Sequence, residues 1–178
     1  GSADIVTKKK LRDFRAHVEF FIRHPKGNSG VYLQNRYEIQ VLDGDSTRHG
    51  MGTVINETES PYYAYNGVGE WNAYDIKFRA ARFKDGVLTE KPMVTVYFNG
   101  KKVHVNQVIN KVWGGPNSGL DGGNDDGNGI TDRPGAGLDP RSASAQAVHF
   151  DAVVVRCDRG FFHRGPIGLL CCRESWHG

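Results

Sequence analysis

The sequence lacks any long apolar run. No stretch approaches the roughly 20 consecutive apolar residues that span a bilayer, and the start, Gly1-Ser2-Ala3-Asp4, does not have the charged and then apolar layout of an export signal. We therefore predict a chain with no membrane span and no signal peptide of its own. An export signal would have to lie upstream, in a longer gene product.

Charge of one sign and cysteine are also scarce. The 23 basic and 20 acidic residues leave a formal charge of +3, and the only basic run is Lys8-Lys9-Lys10. No surface that could follow a phosphate backbone and no nucleic-acid partner are therefore predicted. The three cysteines are an odd number with two adjacent, which matches neither a disulfide framework nor a zinc site. They are Cys157, Cys171 and Cys172.

Several catalytic signatures are missing as well. The seven histidines form no H-x-x-x-H pair, and the sequence contains no Gly-x-Ser-x-Gly and no phosphate-binding glycine loop. These absences argue against serine hydrolase and nucleotide chemistry.

A sustained helical period is absent too, whereas alternation of apolar and polar residues recurs. Strands are predicted over residues 13–22, 31–33, 37–42, 70–78, 93–98 and 101–105. Asn99-Gly100 supplies the positive φ angles of a two-residue hairpin turn between the last two. Short strands with turn signals in a chain of 178 residues predict an all-β sandwich or barrel.

One strand is unusually polar. Period-two alternation places Tyr37, Ile39 and Val41 on one face and Glu38 and Gln40 on the other. The segment closes with Asp43, and Glu19 is expected on a neighbouring strand. Carboxylates that share a sheltered concave face can have pKa values pushed apart, as acid and base roles require. A catalytic sugar site is one interpretation, and an ordinary exposed sheet face is the other.

Two further clusters, one of Asx residues and one of aromatic residues, each have a functional and a structural interpretation. The glycine- and Asx-rich loop 114–135 matches a calcium loop at several positions but has Gly135 where a bidentate Glu is required, so a metal site and simple Asx turns both remain open. Four aromatic residues that bracket an earlier loop, between residues 62 and 71, could stack on a sugar or pack a loop and the core. The candidate metal ligands are Asp121, Asn124, Asp126 and Asn128, and the aromatic residues are Tyr62, Tyr63, Tyr65 and Trp71.

Five motifs in order give the chain a resemblance to a known family. They are Asp13-Phe14 with Val18-Glu19-Phe20, Gly27-Asn28-Ser29-Gly30-Val31-Tyr32-Leu33, Tyr37-Glu38-Ile39-Gln40-Val41-Leu42-Asp43, Gly69-Glu70-Trp71-Asn72, and Val96-Tyr97-Phe98-Asn99-Gly100. Over about residues 4–135 the chain resembles the 3-keto-disaccharide hydrolase family. The resemblance implies a concanavalin-like β-sandwich, or jelly roll, of the kind found in lectins and glucanases. It also implies an exported bacterial protein of carbohydrate metabolism, periplasmic or extracellular.

The activity that the resemblance implies is cleavage of glycosides oxidised to a ketone at sugar carbon 3, by β-elimination and then hydration. Glu38 would be the base, Gln40 and Asn28 would hold sugar hydroxyls or the enolate oxygen, and Asp43 or Glu19 would act as acid or metal ligand. The expected substrate-binding residues are Asn28, Tyr32, Trp71, Asn72 and Tyr65. No cofactor is assigned; a divalent cation, calcium or a transition metal, is the candidate. The alternatives are a non-catalytic carbohydrate-binding module and an inactive truncated fragment.

The end of the chain departs from the family pattern. After Arg133-Pro134-Gly135 the family continues with two strands that are not found here, and residues 136–178 contain all three cysteines but no lysine or tyrosine. We therefore expect a β-sandwich domain over residues 1–135, truncated at its start, followed by a divergent segment over 136–178 with the character of frameshifted or disordered sequence. Val148 to Val155 is apolar enough to serve as a substitute strand.

Overall fold

The structure, a computed structural model, describes residues 4–6, 11–47, 49–113, 122–127, 147–150, 153–156 and 172–173. All regular elements within these ranges are β-strands. They are β1 (Asp4–Val6), β2 (Phe14–Ile22), β3 (Asn28–Leu33), β4 (Tyr37–Leu42), β5 (Trp71–Arg79), β6 (Arg82–Lys84), β7 (Val87–Glu90), β8 (Met93–Phe98), β9 (Lys101–Val108), β10 (Ala147–Phe150), β11 (Val153–Arg156) and β12 (Cys172–Arg173).

The strands form two main antiparallel sheets. Sheet A has the order β1-β10-β3-β4, and sheet B has the order β11-β2-β5-β8-β9, with β12 also paired to β2. A separate hairpin joins β6 to β7. The predicted all-β sandwich is confirmed.

The core lies between the inner faces of the two sheets. Sheet B contributes the alternate residues of β2 and β5, and sheet A contributes those of β3 and β4, all of them buried. The largest of these side chains include Phe14, Phe20, Tyr37, Tyr74 and Phe78. Each such burial contributes roughly 1.5–3 kcal/mol, and the period-two pattern that predicted the strands is a direct consequence of this one-sided burial.

Strands β3 and β4 form a hairpin that carries the polar strand. Its turn contains Gln34 and Asn35 with positive φ angles of 53° and 54°, and Gln34 is anchored by a bond from its Nε2 to the Leu11 carbonyl, 2.9 Å away. The free edge of β4 pairs with the segment after it. Gln40 N donates to Thr53 O at 3.0 Å. The backbone of β4 is thus held from both sides.

Two regions differ from the prediction in detail. The β6–β7 hairpin was not predicted, although Asp85-Gly86 is a hairpin-turn signal and both residues have positive φ. The predicted substitute strand over 148–155 corresponds to two strands: β10 pairs with β3 in sheet A, and β11 pairs with β2 in sheet B. The second half of this segment therefore enters the opposite sheet.

Within the described residues there is no helix long and apolar enough to cross a membrane.

Candidate functional site

The outer face of the β3–β4 hairpin gathers four of the predicted site residues. The register places Tyr32 opposite Glu38, and Gly30 opposite Gln40. Since opposite residues of an antiparallel pair point to the same side, and Val31 and Ile39 fill the core, these side chains lie on the face away from the core. Asn28 is on this face too, at the exposed start of β3. Asn28, Tyr32, Glu38 and Gln40 are thereby brought together.

The Glu38 carboxylate lies over Gly30. A Cβ atom at Gly30 would stand 2.9 Å from Glu38 Cδ and 3.0 Å from Cγ, and closer still to Oε1. The carboxylate therefore occupies the space that any other residue at position 30 would fill. Because Gly30 is the cross-strand partner of Gln40, this space adjoins the Gln40 side chain, as opposite Cβ atoms are about 4.5–5.5 Å apart.

Gln40 combines a fixed backbone with a free amide donor. Its carbonyl accepts bonds from Gly52 N at 3.0 Å and from the buried Tyr74 hydroxyl at 2.6 Å, and its side-chain Oε1 accepts from Val41 N at 3.1 Å. Among the contacts of the described residues, the Nε2 group makes no hydrogen bond. An amide donor is thus available on a side chain that is only 7% exposed.

Asp43 lies apart from Glu38, one residue past the far end of β4. The two are five positions apart, about 16 Å along an extended chain. Asp43 accepts a hydrogen bond from Lys26 N at 2.9 Å. Burial, followed by the charge of Asp43, raises the pKa of both Tyr65 and Tyr63. The structure therefore groups Asp43 and Tyr65 in a second cluster that does not adjoin the Glu38 carboxylate.

Glu19 and Trp71 lie on the outer face of sheet B, with the core between them and Glu38. The expectation that Glu19 is on a strand next to β4 is wrong, because β2 pairs with β5, β11 and β12. Alternation shows which residues share a face but not which sheet the strand joins. Trp71 packs against Phe21 with 5.6 Å between ring centroids and remains 46% exposed.

His17 lies beside Glu19 on this outer face. Its Nδ1 is 2.6 Å from Asp75 Oδ1, and its Nε2 is 3.7 Å from Glu19 Oε1. Burial acts to lower the pKa of His17, but the hydrogen bond and charge of Asp75, with those of Glu19, outweigh it and raise the pKa. Glu19 thus belongs to a surface group of charges.

Residues 122–127, the described part of the loop 114–135, bind to the β3–β4 hairpin. Tyr37 donates its hydroxyl to Asp125 Oδ2, Gly127 N donates to Asp125 Oδ1 at 2.8 Å, and Asp126 pairs with Arg36 at 3.1 Å. Burial raises the pKa of Asp125. These two carboxylates are bonded to protein groups, and no group of three His, Cys, Asp or Glu side chains in the described ranges could hold a metal ion.

Of the predicted metal ligands, Asp121 and Asn128 lie outside the described residues, and Asn124 is exposed. The metal site therefore stays a prediction. In the part of the loop that the structure describes, the carboxylates of Asp125 and Asp126 bind to the hairpin that carries Glu38.

A comparison with family models identifies the family of the chain. The model of the 3-keto-alpha-glucoside-1,2-lyase-like domain matches residues 1–142. The chain belongs to this family. The resemblance inferred from the five motifs is thereby confirmed.

A solved structure gives the same fold. The chain is 26% identical to a "putative glycosyl hydrolase" of Parabacteroides distasonis solved at 2.13 Å, with a TM-score of 0.59. The match covers 82% of this chain and 59% of that one. A second protein of the same description, solved at 1.70 Å, is 17% identical with a TM-score of 0.48 and coverage of 85% and 72%. The chain thus spans less than two thirds of the first of these proteins. The curated proteins give no match.

Two of the family motifs have a structural role in this chain. Asn72 is 2% exposed; its Oδ1 accepts bonds from Asn66 N at 2.9 Å and Asn99 Nδ2 at 2.8 Å, and its Nδ2 donates to Glu70 O at 2.9 Å. Asn99 also donates to Ala64 O at 2.7 Å. These amides fix the loop before β5, so the polar atoms of Asn72 are engaged within the protein.

Gly30 is part of one of the five sequence motifs, but no role was predicted for it. The signal was present, because a glycine inside a strand often marks the close approach of another group. Gln40, which was predicted, and Gly30, which was not, flank the same carboxylate.

Proposed function

We propose that this protein is a carbohydrate-active enzyme that cleaves the glycosidic bond of 3-keto-glycosides by β-elimination followed by hydration, with net hydrolysis. The observation that carries the proposal is the Glu38 carboxylate over Gly30, next to the Gln40 side chain with its Nε2 donor, on a face that also bears Asn28 and Tyr32. Family membership supports the same chemistry. Carbohydrate is the proposed partner, and the periplasm or cell exterior the proposed location.

The proposed reaction needs a base and a stabiliser of negative charge. A ketone at carbon 3 acidifies the hydrogen on carbon 2. The Glu38 carboxylate takes this proton, the electron pair forms the bond between carbons 1 and 2, and the bond from carbon 1 to the glycosidic oxygen breaks, with a proton going to that oxygen. Water then adds, its hydroxyl to carbon 1 and a proton to carbon 2, which restores the 3-keto sugar.

Each residue of the face has a proposed part in this reaction. Gln40 Nε2 donates to the ketone oxygen, where charge develops as the proton leaves, and a donor fixed in a sheltered site is effective because it needs no reorganisation. Asn28 holds a sugar hydroxyl. Tyr32, directly opposite Glu38, brings a phenol that can protonate the leaving oxygen. Asp43 is too distant for that task.

A divalent cation remains part of the sequence prediction. A cation would act as a Lewis acid on the enolate oxygen, and the steps above are assigned to side chains alone. Dialysis against EDTA, followed by calcium or a transition metal, tests the prediction directly: activity lost and then restored would support it.

The decisive test is Glu38→Gln, which keeps size and removes the base. We expect the unaltered protein to release both sugars from a 3-keto-disaccharide and to leave the unoxidised disaccharide intact. Glu38→Gln should lower turnover by about 100-fold or more, since a positioned base typically contributes 10²–10⁴-fold. Glu70→Gln, the same change at an exposed position, is the matched control. Equal turnover by Glu38→Gln and the control would refute the assignment.

A carbohydrate-binding module without catalysis is the second candidate. The exposed ring of Trp71, held against Phe21 on the outer face of sheet B, favours it, because aromatic rings combine apolar area with a fixed geometry suited to sugar faces. Saturable binding of an unoxidised oligosaccharide, absent in Trp71→Ala and without product release, would support this candidate over the first.

A further inference from the structure

The tightest feature of the site is the space above Gly30. The three heavy atoms nearest to a Cβ placed there all belong to Glu38, namely Oε1, Cδ and Cγ. Gly30 lies within β3 and does not have a positive φ angle. Its backbone conformation is therefore open to any L-residue, and the reason for glycine at this position is the carboxylate.

The space above Gly30 also affects the distance between the Glu38 carboxylate and the Gln40 amide. Glu38 and Gln40 are two residues apart on one strand, about 6.6 Å along it, and a carboxylate that extended straight outward would keep that separation. By leaning over Gly30, it enters the place of Gln40's cross-strand neighbour. Base and amide donor can then contact adjacent atoms of one sugar ring.

We propose that Gly30 is a positioning residue: its missing side chain creates the place in which the Glu38 carboxylate stands beside the Gln40 amide. This inference rests on the proposed function and names the feature that arranges its two central groups. A methyl group at position 30 displaces the end of a flexible side chain and leaves the backbone in place, so the fold should tolerate it while the carboxylate moves.

Four proteins test the inference: the unaltered chain, Gly30→Ala, Glu38→Gln and the double variant. We expect Gly30→Ala to have an unchanged or higher Tm and a kcat on a 3-keto-disaccharide lowered by about 10–100-fold, the order of loss that a misplacement of about 1 Å can cause. In the double variant kcat should equal that of Glu38→Gln alone, since Gly30 acts through the carboxylate. Losses that multiply, or a normal kcat in Gly30→Ala, would overturn the proposal.

A second measurement is independent of turnover. The ¹³C resonance of the Glu38 carboxyl carbon, followed against pH, should shift its midpoint in Gly30→Ala. Ala73→Val, which adds methyl groups to the outer face of sheet B, is the control and should superimpose on the unaltered protein. Superimposable curves for Gly30→Ala would overturn the inference even if no substrate is cleaved, whereas a shifted curve without turnover would contradict the proposed function alone.

Discussion

Asn72 offers a sharp test of whether a family motif binds substrate or supports the fold. Asn72→Ala removes three hydrogen bonds at a residue that is 2% exposed. The Glu70 carbonyl belongs to an exposed residue and can accept from water instead. In two partly buried bonds, however, the N–H of Asn66 and one of the two N–H groups of Asn99 Nδ2 lose their acceptor, while the other stays bonded to Ala64 O. At about 1–1.5 kcal/mol for each of these two, the free energy of unfolding should fall by about 2–3 kcal/mol.

The assay is thermal and urea unfolding of Asn72→Ala beside the unaltered protein. For a chain of this length a loss of 2–3 kcal/mol corresponds to a Tm lower by about 4–12 °C. Asn66→Ala is the matched control, because its side chain makes one exposed bond, from Nδ2 to Trp71 O at 2.9 Å, and should cost less than about 1 kcal/mol. An unchanged Tm for Asn72→Ala together with a raised KM would refute the structural interpretation and restore a substrate-binding one.

Three further predictions concern pH and the placement of charges. Burial lowers the pKa of His104 below its ordinary value of 6.5. As pH drops below about 6.5, this histidine is protonated in the unfolded chain before it is protonated in the folded protein, so the free energy of unfolding should fall. Urea unfolding at two pH values, with and without His104→Gln, checks this. Asp13 binds Arg82 through both carboxylate oxygens, at 3.0 and 2.5 Å. Although burial opposes it, the Arg82 hydrogen bond and charge lower the pKa of Asp13, so this stabilisation should be lost as pH falls below about 3.8, and Asp13→Asn should flatten the acid limb of the unfolding curve. Glu19→Gln should reduce turnover at least tenfold less than Glu38→Gln, and equal losses would contradict the separation of the two sheets.

Apart from the β6–β7 hairpin, the sequence was informative about the strand faces and turns that depend on near neighbours. The alternation in Tyr37 to Val41 identified the outward pair Glu38 and Gln40, because burial on one side of a strand imposes period two. The Asn99-Gly100 turn was equally local, since both residues have positive φ angles as the hairpin requires. No long-range information was needed for either.

What the sequence could not supply is the pairing of strands that lie far apart in the chain. Glu19 alternates as predicted, but its strand joins sheet B, and that depends on how β2 meets β5, more than 50 residues later. The loop 114–135 has the composition of a calcium loop, and in its described part the carboxylates of Asp126 and Asp125 bind Arg36 and Tyr37. Composition describes the ligands that a loop offers, and only the fold determines what meets them.

The role of Gly30 follows from the same distinction. In sequence it is one of 23 glycines, and a glycine in a strand can mark a close approach without showing which group approaches. The pairing of β3 with β4 places Gly30 diagonally from Glu38 and directly opposite Gln40, so that the Glu38 carboxylate lies over it. A slip of one residue would send Glu38 into the core. The long backbone pairing of the hairpin, by fixing that register, therefore determines where the proposed base stands.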